Sequence, residues 1–393
     1  MPLRPWFILA ALALARAGFG YQFQTVATLG PDLVPRFHLT YTEFGTLIGA
    51  YMMLGMFAAL PLGVLGRRFG ERPVLGLGLA CMVLGAAISA WGDGPSGIAA
   101  GRTLAGGGAV AMIVLQGKII ADWFTGRMFM IGISVSVCAY PIGVGLAQIV
   151  VPPIAARFGW RMGFLSEGVL LAIALAVFLA SYKPRPGAVT APEVDRGHFA
   201  MPSAWECLLL GISGLTWTAY TAGYSAFTSY LPSTMAERGE GLALTALVMA
   251  IATWGNVPAT MFGAGLAARF GALRILTIGT ISLVVGTVGT ALVDWPIIWS
   301  ILVGVLGSIQ PGVIMAVGTL SARPENRAVG MGVFYSLYYL GGTVAPAFCG
   351  YLADLYGGPA GGLLAAALLS ALVLPLFLLH RRLADHAAML PRP

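Results

Sequence analysis

The run Gly63-Val64-Leu65-Gly66-Arg67-Arg68-Phe69-Gly70-Glu71-Arg72 decides the fold, because its centre recurs. Arg68-Phe69-Gly70 returns as Arg269-Phe270-Gly271, an offset of 201 residues, and each copy closes a long apolar block. Pro31 and Pro232 stand at the same offset, each read as the end of a span. Arg127, Gly132 and Ser136 are matched by Arg327, Gly332 and Ser336 at an offset of 200. Two halves therefore share one plan. A finer recurrence places an aromatic residue before glycine at Phe69-Gly70, Phe158-Gly159, Phe270-Gly271 and Tyr356-Gly357, at the end of the second helix in each set of three. Four three-helix units, alternately inverted, fit this spacing. Nested repeats of that kind describe an alternating-access transporter with its site near the bilayer midplane.

The blocks flanking these corners are long enough, as helices, to cross about 30 Å of hydrocarbon. Spans are expected at 6–28, 42–65, 74–91, 97–120, 128–155 and 161–182, then at 205–231, 242–268, 272–292, 295–319, 328–354 and 359–380. The expected fold is an all-α membrane protein of twelve transmembrane helices in two pseudo-symmetric six-helix halves. These are 1–182 and 205–393, the second with a short cytoplasmic tail, joined by a proline-rich cytoplasmic linker over 183–204. Composition agrees, with 58% of 393 residues apolar and 9% charged, against about a quarter charged in a soluble domain. Arg4, Arg67, Arg68, Arg72, Lys118, Arg127, Lys183, Arg269 and Arg274 fall on one side of the spans, and Arg36, Arg157, Arg161 and Arg238 on the other. Because positive loops stay cytoplasmic, both termini are placed inside. The surplus of Arg over Lys, with abundant Ala and Gly, points to the cytoplasmic (inner) membrane of a bacterium.

A net charge of +7 does not indicate nucleic acid here, since the basic residues lie in loops and form no patch interleaved with aromatics. Cys81, Cys138, Cys207 and Cys349 each lie in an apolar block and are read as buried reduced thiols. His38, His198, His380 and His386 are placed in loops or tails. No metal site, cofactor or hydrolytic constellation is expected, and no residue is assigned to catalysis. Gly106-Gly107-Gly108 lacks the Gly-Lys-Ser/Thr that completes a P-loop. The first block continues past Arg16 to Thr28 and has a counterpart at 205–231, so it is read as a span and not as a cleaved signal.

On these residues the chain resembles the major facilitator superfamily over essentially its whole length. Gly63 to Arg72 is similar to that family's cytoplasmic loop signature G-x-L-x-D-R-x-G-R-R, with Gly66 at the place of the usual Asp. In the family that Asp joins a charge relay holding one conformation closed. The resemblance therefore implies gating roles for Arg67, Arg68 and Arg269, and a latch that is lost here or made by other charges. Arg102-Thr-Leu-Ala-Gly106-Gly-Gly108 resembles the family's R-x-x-x-G-x-G pattern, whose Arg is tied to proton coupling. Ala139-Tyr140-Pro141-Ile142-Gly143-Val144-Gly145 stands where exporters of the family show G-P-x-x-G-G, and its departures at Tyr140 and Val144 weaken an export reading. Asp122-Trp123-Phe124 before Arg127, with Gly159-Trp160-Arg161, is most similar to the cyanate and nitroimidazole permease-like branch.

Arg16 is the most informative side chain, because an Arg in mid-span costs at least about 2.5–3.5 kcal/mol on insertion scales and something must offset it. It holds an anionic substrate group, with a guanidinium fork that suits a carboxylate bidentately, or it packs against carbonyls of a broken helix. Gly20 and Phe23 share its helical face, with Phe19 and Gln24 on the flanks. Gly20 would make room for a ligand, and Gln24 would either bind it or bridge helices. Arg102 and Glu167 are the coupling or gating pair, with a structural role for Arg102 against carbonyls or Glu167 equally open. Glu43 closes a Thr40-x-x-Glu43 capping box. Lys118 is read as a positive-inside anchor. In the second half Trp217 takes the place of Arg16 under the 201 offset, with Tyr220 and Tyr224 on its face. Asn256, Gln310, Tyr335, Tyr338 and Tyr339 complete that wall, and Tyr140 joins it from the first half. Gln310 precedes Pro311, where a bend is expected.

The sequence thus points to a secondary active transporter of a small organic anion, in uptake or exchange, with proton coupling left open. A proton-driven exporter of amphipathic drugs is the alternative, and a transporter-like ligand sensor the more distant one. The expected partners are the anion, the coupling proton and the lipid bilayer, with no nucleic acid and a monomeric chain.

Overall fold

Glycine after an aromatic residue does in three dimensions what its spacing suggests. Gly70, Gly159, Gly271 and Gly357 have φ of 86°, 86°, 91° and 85°, and the first three combine this with ψ of 157°, 159° and 141°, a positive-φ extended backbone that is nearly confined to glycine and costs a residue with a Cβ about 1–3 kcal/mol. Each ends one helix, and the next begins within two residues. The computed structural model describes residues 4–183, 203–321, 323 and 327–389. Most of the 183–204 linker, and the end of the tail beyond residue 389, lie outside the described residues.

Every element among the described residues is helical. The first half runs α1 (Arg4–Thr28), α2 (Gly30–Arg36), α3 (Tyr41–Gly49), α4 (Gly55–Phe69), α5 (Glu71–Trp91), α6 (Gly94–Trp123), α7 (Gly126–Phe158) and α8 (Trp160–Ser181). The second runs α9 (Ala204–Glu237), α10 (Leu242–Phe270), α11 (Ala272–Leu292), α12 (Pro296–Ile301), α13 (Pro311–Leu320), α14 (Arg327–Tyr356), α15 (Pro359–Ala371) and α16 (Val373–Met389). Among the described residues nine helical stretches are long and apolar enough to cross a membrane. The second span is divided between α3 and α4, while α9 and α14, at 34 and 30 residues, are long but rich in Ser, Thr and Tyr. The fold is that of a twelve-span, all-helical membrane protein. Its chain separates into two compact units, Met1–Asp195 with Gly241–Ala246, and Arg196–Glu240 with Leu247–Pro393.

Several boundaries differ from the sequence reading, each for a local reason. Pro31 does not end the first span but opens α2, where its missing N–H costs nothing. Pro232 lies inside α9, which continues to Glu237. The second span is interrupted by turns over residues 50–54. The tenth is interrupted by a π segment, Leu302–Leu306, and a 3-10 turn, Gly307–Ile309, just before the expected bend at Pro311. In the twelfth, α15 gives way to α16 at Leu372, and α16 carries the helix past the expected end at 380. His380 is therefore not in a tail: it is a buried residue of α16 whose Nε2 lies 2.8 Å from the Ser321 hydroxyl. Cys349 is buried, but Cys81, Cys138 and Cys207 are only half-buried, and all four are free thiols. The capping box at α3 is present, with the Thr40 hydroxyl accepting from the Glu43 N–H at 3.1 Å and the Glu43 carboxylate accepting from the Thr40 N–H at 2.9 Å.

Candidate functional site

In the first half the sequence-predicted residues converge on the middle of α1. Arg16 is half-buried, and its guanidinium carbon lies 5.1 Å from the ring centre of Phe19 and 5.6 Å from that of Tyr140. Phe19 also meets Tyr140 at 5.0 Å and Tyr51 at 5.8 Å, and Phe23 meets Tyr51 at 5.9 Å. Arg16, Phe19, Phe23 and Tyr140 are thus brought together around a ring, Tyr51, that the sequence reading passed over. Tyr51 sits in the turn that breaks the second span, a turn with no proline to announce it. Gly20 does not make room for a ligand. A Cβ there would run into the Tyr140 carbonyl oxygen, and one at Gly143 would run into the Ala17 carbonyl. These glycines let the backbones of α1 and α7 approach. Gln24 is 0% exposed, inside the packing of its half.

Arg102 is 2% exposed and spends its guanidinium on carbonyl oxygens. Nε donates to Leu47 at 2.7 Å, Nη2 to Ile48 and Phe23 at 3.2 Å, and Nη1 to Gln22 at 3.3 Å. Leu47 and Ile48 precede the break at 50–54, where the helix stops supplying donors, so Arg102 supplies them instead. A Cβ at Gly106 would strike the Tyr51 carbonyl and one at Gly108 the Gly78 carbonyl. The motif Arg102-x-x-x-Gly106-x-Gly108 is therefore a fitting for the broken second span. Glu167 is 2% exposed, and its Oε1 accepts from Gln22 Nε2 at 3.1 Å. No ion pair joins it to Arg102.

At the cytoplasmic loop, Gly66 is buried, and a Cβ there would meet only the end of the Leu115 side chain. Charge is found nearby. Lys118 pairs with Glu71 and, at 3.2 Å, with Asp122. Arg68 and Arg269 are exposed, each lying over the ring that follows it, Phe69 at 5.4 Å and Phe270 at 5.3 Å. The Arg67 side chain lies outside the described residues.

In the second half Trp217, Tyr220 and Tyr224 form a ladder, with ring centres 5.9 and 6.1 Å apart, and Phe334 flanks Trp217 at 6.2 Å. Asn256 Nδ2 donates to Ser308 Oγ at 2.9 Å and to the Tyr220 hydroxyl at 3.3 Å, and Thr260 donates to the Ser308 carbonyl at 3.1 Å. Ser308 belongs to the break in the tenth span, another element the sequence reading placed without its partners. Gln310 does not face a ligand. It is 0% exposed and is used up by Thr280, which donates to its Oε1 at 3.0 Å, and by the Gly307 carbonyl, which accepts from its Nε2 at 2.9 Å. Tyr335 and Tyr338 lie 6.4 Å apart and Tyr338 and Tyr339 5.2 Å, with Tyr339 buried and Tyr335 exposed. Among the described residues no group of His, Cys, Asp and Glu could hold a metal ion.

Comparison with known proteins adds kinship to this geometry. The family model described as Major Facilitator Superfamily matches residues 6–346. An uncharacterized transporter of Bacillus subtilis (strain 168), YycB, is 25% identical over 303 residues, covering 74% of this chain and 72% of that protein. A hexuronate transporter of Escherichia coli (strain K12) is 25% identical over 187 residues, covering 45% of this chain and 41% of that protein. Among solved structures, a bacterial homologue of the human lysosomal transporter Spinster superposes with a TM-score of 0.77 over 98% of both chains at 13% identity, a likeness of fold.

Proposed function

This chain belongs to the Major Facilitator Superfamily of transporters, and from that premise we propose that it moves a small organic anion across a bacterial cytoplasmic membrane, in uptake or exchange, with Arg16 holding the anion's charge. The observation that carries this reading is a guanidinium at the middle of a span, half-buried and stacked on Phe19 and Tyr140. Placing an Arg at that depth costs at least about 2.5–3.5 kcal/mol, while aromatic faces return about 0.5–2 kcal/mol. A carboxylate taken by the guanidinium fork adds a charge-assisted pair in the loaded state, which is a differential interaction of the kind transport requires. Phe19, Phe23, Tyr51 and Tyr140 then serve as the apolar wall for the body of the anion. The substrate class in the name of one relative, a hexuronate, is itself an organic anion. Lys and Arg distribution supports cytoplasmic termini and a cytoplasmic linker.

Proteoliposome flux of glucuronate, lactate, benzoate, cyanate and nitrate, compared between the unaltered protein and Arg16→Gln, tests the reading. Flux of one anion class should fall by about 10- to 100-fold in the variant, with thermal stability kept, and Arg16→Lys should recover part of it because a point charge replaces a fork. Anion flux untouched by Arg16→Gln would overturn it. The Trp217, Tyr220 and Tyr224 ladder favours a second reading, export of amphipathic compounds. Dye efflux that survives Arg16→Gln but is lost in Trp217→Ala would put that reading first.

A further inference from the structure

α8 ends at Ser181, in a crevice of about 430 Å³ lined by Ala180, Ser181 and Lys183 and, from the second turn of α1, by Phe7. Two cations without acidic partners bracket this helix end. Lys183 is exposed and makes no ion pair among the described residues. Arg72, at the start of α5, donates Nη2 to the Leu179 carbonyl at 2.8 Å, meeting one of the acceptors that the last turn of a helix leaves over. No carboxylate is paired with Arg72 either. The acids of the same corner are already taken, since Glu71 and Asp122 both pair with Lys118, and Glu71 also accepts from the Tyr182 hydroxyl. Phe7 adds an apolar ring that is 61% exposed.

The crevice lies at the end of a track. Val169, Ile173, Ala176 and Ala180 recur at helical spacing on one face of α8, and all four are exposed. From Val169 to Ala180 the helix runs about 16 Å, which matches the depth of one leaflet, half of about 30 Å of hydrocarbon. An acyl chain laid on this face reaches from mid-bilayer to the crevice, and its phosphate arrives beside Lys183 and the Ser181 hydroxyl. Charge then selects the headgroup. A zwitterionic headgroup brings an ammonium to a corner that holds Lys183 and Arg72 and has no carboxylate left to receive it. A headgroup of net negative charge meets both cations and needs no further partner. We propose that the crevice between α1 and α8 binds an anionic glycerophospholipid, its phosphate at Lys183, Arg72 adding its field from the end of α8, and an acyl chain along Val169, Ile173, Ala176 and Ala180. That the leaflet is the cytoplasmic one rests on the orientation proposed above; the site itself does not, and it includes no part of the Arg16 cluster.

Photoactivatable phosphatidylglycerol and phosphatidylethanolamine, each with a diazirine on one acyl chain, test it. Each is added singly, at equal mole fraction, to phosphatidylcholine nanodiscs holding the full chain, and the adducts are mapped by mass spectrometry of peptides. Phosphatidylglycerol should label α8 and the first turns of α1 severalfold more than phosphatidylethanolamine. Lys183→Gln should cut that preference by about 5-fold with thermal stability kept, and Lys183→Arg should retain it. Equal labelling by the two lipids in the unaltered protein would overturn the proposal, as would a preference unchanged in Lys183→Gln. Labelling of this face by neither lipid would mean that protein covers the crevice, and would overturn it too. Loss of the label on adding glycerol phosphate to the buffer would assign the cations to a soluble phosphate ester and overturn the lipid. Nanodiscs expose both leaflets, so an inverted topology in cells would sink the orientation alone, while parity of the two lipids would sink this site alone.

Discussion

Arg102 shows how a side chain suspected of chemistry can be committed to architecture. Its donors replace the helical N–H groups that Leu47 and Ile48 lose where the second span breaks. Arg102→Leu should therefore lower thermal stability in detergent, by about 1–3 kcal/mol for each carbonyl left bare. Arg102→Lys should recover only part, since one ammonium cannot reach carbonyls on both α1 and α3 in the geometry of a planar fork. Full stability in Arg102→Leu would show that the break is held by other means. The sequence allowed both a coupling and a carbonyl-binding role, because intramembrane Arg is visible in sequence whereas its acceptors, on two other helices, are not. The same limit hid Tyr51 and Gln22. Tyr51 lies in an apolar run that reads as continuous helix, and Gln22 has no sequence feature that sets it apart from Gln24, both being buried. Arg16, Phe19, Phe23 and Tyr140 were legible because helical periodicity and a misplaced charge are properties of one segment. Gly20 was misread because glycine makes space equally for a ligand and for a neighbouring backbone, and only the Tyr140 carbonyl decides which.

At the level of elements, the corners were the most legible feature, and they make a clean test of backbone energetics. A Cβ at Gly159, Gly271 or Gly357 meets nothing within 4 Å, and at Gly70 it meets only Pro73 Cδ, at 3.9 Å. Substitution by alanine should thus cost the positive-φ backbone term alone, about 1–3 kcal/mol at each position, measured as a loss of thermal stability in all four variants. A corner that tolerated alanine without loss would have relaxed to an ordinary backbone. Breaks inside spans were less legible. Pro311 announced the one in the tenth span, while the one in the second span is made by tertiary partners, Arg102 and Gly106, and has no local signature. Proline is disfavoured in a helix interior, so Pro232 reads as an end, yet α9 absorbs it. The ion-pair cluster of Lys118 with Glu71 and Asp122 joins the start of α5 to the end of α6, beside the loop whose usual Asp is Gly66.

For the whole molecule, the distribution of Lys and Arg makes an orientation testable. After replacement of the native cysteines by serine, Arg157→Cys should react with a membrane-impermeant maleimide applied to intact cells, and Arg269→Cys should react only after the cells are opened. The opposite pattern would invert the topology. The two halves repeat each other at their corners and differ in what they bury. Arg16, Arg102 and Glu167 lie within spans of the first half. Among the described residues of the second, the corresponding interior is neutral, with Trp217, Tyr220, Asn256 and Ser308 in place of charges. That asymmetry has an electrical consequence. One elementary charge moved through the membrane field is worth about 2.3 kcal/mol per 100 mV, so voltage acts on the interior of the first half and has little purchase on that of the second. An anion seated at Arg16 subtracts one positive charge from that half, so loading would alter the charge on which the field acts and the voltage dependence of transport would differ between the loaded and empty states.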